Sequence, residues 1–85
     1  MVIKILAQEA SCNSTPSNFS GSRLVRVVSK ETSTVGVLTL KANTGTTLGT
    51  MSILPQTEVI VEKSATDTLE TNSSNILAVP VAYKN

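Results

Sequence analysis

The chain has no histidine and no tryptophan, one cysteine, and two aromatic residues, Phe19 and Tyr83. Each shortage closes off a class of function. With Cys12 alone, no disulfide can form within the chain. Without an imidazole, nothing activates that thiol as a nucleophile, so Cys12 reads as a free thiol in a loop. One thiol and scattered carboxylates make a poor ligand set, so no metal is expected. No cofactor motif is present either: Asn43–Thr47 lacks the lysine and the following helix of a phosphate loop. Two aromatics supply few stacking platforms for single-stranded nucleic acid. A net charge of +1 with 15% charged residues leaves no basic footprint. No apolar run approaches the roughly 20 residues of a membrane span. Met1–Ala7, broken by Lys4, is too short for a secretory signal core. The expectation is a protein that is not an enzyme and binds neither nucleic acid nor membrane.

What is present is β-forming sequence. Between Arg23 and Lys63 four β-branched runs follow one another: R-L-V-R-V-V-S-K, T-V-G-V-L-T-L-K, T-L-G-T-M-S-I and T-E-V-I-V-E-K. They predict strands over 22–30, 34–41, 47–53 and 57–63, each pairing with the next as an antiparallel meander. A short strand over 2–7 precedes them and an apolar one over 76–83 closes the chain. Pro80 removes a donor, so the closing strand should lie at an edge or carry a bulge. Residues 64–71 read as one helical turn or a loop, with Asp67 near its start and Glu70 a solvated charge. The fold class is all-β, a small antiparallel β-sandwich or partly open barrel of about five to six strands. A single domain covers 1–85: a short strand plus a polar arm over 1–21, then the meander over 22–83.

A half-buried strand alternates apolar with polar residues. Residues 24–28, 35–40 and 76–83 carry apolar side chains on both faces. A chain of 85 residues has a thin core and no helix long enough to cover a second face. Association with a partner is therefore expected, and 23 Ser and Thr residues on a weakly charged surface would not resist it. The candidate interface residues are Phe19, Arg23, Arg26 and Tyr83. Phe19 would anchor in a pocket of this protein or of a neighbour. Arg23 and Arg26, on opposite faces of one strand, either snorkel to solvent or clamp an interface. Tyr83 either plugs the end of the sandwich or docks outward. The arm over 8–22 is expected to lie along something, and deleting residues 1–20 is expected to weaken particle binding more than folding.

Two passages carry a family resemblance. Leu24-Val25-Arg26-Val27-Val28 leads to Leu48-Gly49-Thr50, and Glu62-Lys63 is followed by Thr66-Asp67-Thr68-Leu69. With the opening L-A-Q-E-A-S and closing V-A-Y, the chain resembles small virion structural proteins of tailed phages infecting marine cyanobacteria. The resemblance implies a particle protein made in the host cytoplasm and assembled on the virion. Its partner would be the major capsid protein or another virion protein, and its state a small homo-oligomer, a trimer among the options. A capsid decoration (cement) protein is the first expectation. A tail, collar or fibre-attachment component is the second, and a carbohydrate- or host-surface-binding module the third.

Overall fold

The computed structural model describes residues 2–84, and the side chains of 3–82. It is all-β, with eight strands in two antiparallel sheets. They are β1 (Val2–Ile5), β2 (Ala10–Ser11), β3 (Leu24–Ser29), β4 (Gly36–Lys41), β5 (Thr47–Ile53), β6 (Glu58–Glu62), β7 (Thr68–Thr71) and β8 (Ile76–Lys84). The first sheet runs β1-β8-β3-β6, with β2 also paired to β8; the second runs β5-β4-β7.

Alternation along each strand decides which side chains meet between the sheets. Val25, Val27 and Ser29 of β3 face inward with Ile76 and Ala78 of β8. Opposite them lie Leu38 of β4, Ile53 of β5 and Leu69 of β7. Cys12 and Phe19 complete this core, and Leu40, Val59 and Val61 pack against its open side. Gly36 of β4 stands close against Ile76 of the facing sheet. A Cβ there would stand 2.5 Å from Ile76 Cδ1 and 3.1 Å from Ile53 Cγ2.

The pairing departs from a meander. Among the described residues only β4 and β5 are joined as a hairpin, while β3 pairs β6 and β8, and β4 also pairs β7. The segments after β3, β5, β6 and β7 each carry the chain from one sheet to the other. Alternation specifies the inward side of a strand and leaves its neighbour open, so the faces are legible where the pairing is not. Residues 64–71 contain a turn and then β7 in place of a helical turn. The Asp67 N–H donates to the Ser64 carbonyl at 3.0 Å, and Leu69 and Ser17 exchange backbone bonds at 2.9 and 3.1 Å. A strand partner supplied by the distant arm outweighs the local preference.

Pro80 sits in an interior strand, with β3 on one side of β8 and β1 and β2 on the other. Its carbonyl accepts the Leu6 N–H at 3.0 Å, so its polar edge faces β1 and β2. That edge is interrupted over residues 6–9, where the missing donor leaves no ladder bond broken. The arm lies along the protein itself. Cys12 N–H still donates to Ile76 of the first sheet at 2.7 Å, while the Asn13 carbonyl accepts Thr71 N–H of the second at 2.9 Å. The arm thus closes one side of the sandwich. The opposite side, between β5 and β6, stays open.

Candidate functional site

The outward face of the first sheet is apolar along one edge. Register places Ile5 beside Val81, and Arg26 between Val79 and Ile60. Alternation along β1 turns Ile3 and Ile5 to the outward face beside β8. They form a groove of about 450 Å³ with Glu9, Arg26, Val79 and Val81. Val79 and Val81 are buried at its floor, whereas Ile5 is 73% exposed at its rim.

Arg26 contributes its aliphatic stem to the groove and its guanidinium to two carboxylates. It pairs with Glu58 of β6 and reaches Glu9 at 3.8 Å. All three side chains are partly exposed, so each pair is worth at most about 1 kcal/mol. Their effect is positional: the guanidinium links Glu9, after β1, to Glu58 of β6 at the far edge of the sheet.

A second apolar opening of about 180 Å³ lies between the sheets on their open side, lined by residues that include Leu38, Met51 and Val61. Further large apolar side chains are exposed at Leu6, Val35, Val37, Leu48, Leu54 and Ile60.

The four sequence-predicted interface residues are not gathered in one place. Arg26 lies in the groove, and Arg23 is exposed just before β3. Phe19 is 7% exposed in the protein's own core, so of the two pockets open to it the occupied one is internal. The Tyr83 side chain lies outside the described residues; its backbone pairs with Ile3. Sequence reasoning passed over Ile3, Ile5 and Glu9. The signal available was the I-K-I alternation of β1, whose apolar members fall on the face opposite the core.

The titratable groups have structural roles. Burial, with a smaller contribution from Glu70, pushes the Cys12 thiol up to about 11. It stays protonated and unreactive at neutral pH. Lys63 is buried, and its ammonium donates to the Ser64 carbonyl at 3.3 Å. Burial lowers its pKa, against a smaller opposing pull from Asp67. Asp67 accepts the Ser64 N–H at 3.2 Å, while Glu70 pairs with Lys41 at 2.5 Å on the outside of the second sheet. The two carboxylates serve separate local tasks.

Comparison with family models, with curated proteins and with solved structures finds no match for this chain.

Proposed function

We propose that the protein is a virion structural protein that docks on the major capsid protein lattice as a decoration protein, with the Ile3–Ile5 groove as its contact surface. One observation carries this reading: a domain of 85 residues leaves an apolar groove and further large apolar side chains in contact with solvent. Apolar surface of that kind marks sites of association. The family resemblance supplies the partner class, and a β domain held together without a disulfide suits passive assembly. Mass action is the mechanism. Binding only the assembled lattice stabilises that lattice, and repetition over a shell turns weak contacts into avidity.

The test is the copy number of the protein in purified particles. Decoration of the head predicts a copy number that scales with the major capsid protein. A handful of copies per particle transfers the protein to the tail, collar or fibre-attachment role. Absence from particles removes the virion reading altogether.

A further inference from the structure

The edges of the two sheets differ in how they are protected. The free side of β7 is covered by the arm, through Ser17 and Asn13. The β1 and β2 edge is interrupted over residues 6–9. The free edge of β6 carries Glu58 and Glu62. Interruption, cover and charge are the usual means by which proteins keep strand edges from pairing with other chains. On β5 a bulge skips Leu48 between the Leu40–Gly49 and Lys41–Thr47 pairs, and that protects its first residues. From Gly49 to Ile53 the strand has no bulge, no proline and, among the described residues, no cover. No charged residue occurs anywhere from Ala42 to Thr57.

We propose that Gly49–Ile53 of β5 is a self-association edge, pairing antiparallel with the same strand of a second copy across a twofold axis. Charge pattern selects the occupant. A twofold sets residues near the axis against copies of themselves, so charge of either sign there repels its own image. An uncharged run is complementary to itself, and it offers a foreign strand no charge to recognise. The product is a continuous six-stranded sheet, β7-β4-β5 extended by its copy. Leu48, 54% exposed, flanks the junction on the outward side, and Met51, 44% exposed, flanks it on the side of the opening between the sheets. Both faces of the new pair thus bury apolar surface alongside the backbone bonds.

The inference goes beyond the capsid reading and does not depend on it, because it concerns the free protein. The full chain is examined by sedimentation equilibrium together with Thr50→Glu, Thr50→Lys and an equimolar mixture of the two. Ser52→Glu and Ser52→Lys, on the same outward face, are run in parallel, and circular dichroism reports folding. The expected result is a dimer for the parent chain. Each folded single variant should associate at least tenfold more weakly, and each Glu–Lys mixture should recover the dimer. A monomeric parent chain overturns the proposal. So does a trimer, which the capsid reading would accommodate, or an oligomer that the charged variants leave unchanged.

Discussion

Cys12 lies buried in the core, in a site that disfavours the thiolate. Its folded pKa of about 11 stands above the ordinary thiol value of 9.0. Between those values the unfolded chain has released the proton and the folded chain still holds it. Stability from this group is therefore complete below pH 9 and declines as pH rises toward 11, by an amount approaching about 2 kcal/mol. Lys63, whose pKa is lowered, acts in the opposite sense, so the comparison must isolate the thiol. The melting temperature of the parent chain should fall relative to Cys12→Ala across that window. A constant difference from pH 8 to pH 11 would contradict the assignment. Phe19 is held by an unusual backbone: Phe19, Ser20 and Gly21 have φ of 50°, 62° and 72°. Left-handed residues cost about 1–2 kcal/mol each when they carry a Cβ. The ring's burial among the core residues offsets that strain. Phe19→Ala should cost about 3–5 kcal/mol in denaturant titration, a large share of a small domain's stability. If Phe19 instead served a neighbour, the loss would appear in binding and leave the midpoint in place. The sequence left this choice open because a lone aromatic in a polar stretch says that a pocket exists and not whose it is.

At the level of elements, the faces of β3 to β6 were legible and their partners were not. Val59 and Val61 alternate with Glu58, Ile60 and Glu62, and the structure turns the two valines inward as the pattern requires. Nothing in those residues says that β6 pairs with β3 across an intervening hairpin, because the choice rests on contacts far apart in sequence. β7 was the least legible strand: with Leu69 its only large apolar residue, it becomes a strand only because β4 and the arm flank it. The same long-range contacts alter what the arm does. It supplies Cys12 and Phe19 to the core and bonds to both sheets, so it belongs to the fold before it belongs to any interface. Removing residues 1–20 should abolish the cooperative melt. Removing only residues 1–5 takes away the exposed wall of the groove and leaves the core residues in place. That shorter truncation should melt cooperatively and lose particle binding. Retention of a folded state after the longer deletion would show that the arm is an accessory. Gly36 gives an independent probe of the sandwich. A methyl group there must displace Ile76 or Ile53, so Gly36→Ala should destabilise by about 1–3 kcal/mol without touching the groove.

For the molecule as a whole, the balance of apolar exposure against a net charge of +1 determines how it would bind a lattice. Long-range steering is small for such a chain, and contact at the groove rests on burial of Ile3 and Ile5. Burying one such side chain contributes about 1.5–3 kcal/mol. Ile5→Asp replaces that gain with the cost of desolvating a carboxylate. The exposed Ile5 side chain contributes little to the fold, and surface substitutions of this kind usually change stability by no more than about 0.5 kcal/mol. Co-sedimentation with particles stripped of this protein should therefore show Ile5→Asp unbound, at a melting temperature close to that of the parent chain. Binding by the parent chain should survive salt well above physiological, because screening acts on exposed charges and leaves apolar burial intact. If two copies joined through β5 dock together, a loss at one groove is repeated at the other, and the variant's apparent affinity falls by more than one site can explain. Thr50→Glu then provides the matching observation: with both grooves intact but the copies separated, it should bind with the weaker, single-site affinity. Undiminished binding by Ile5→Asp would remove the groove from the interface, whatever the state of β5.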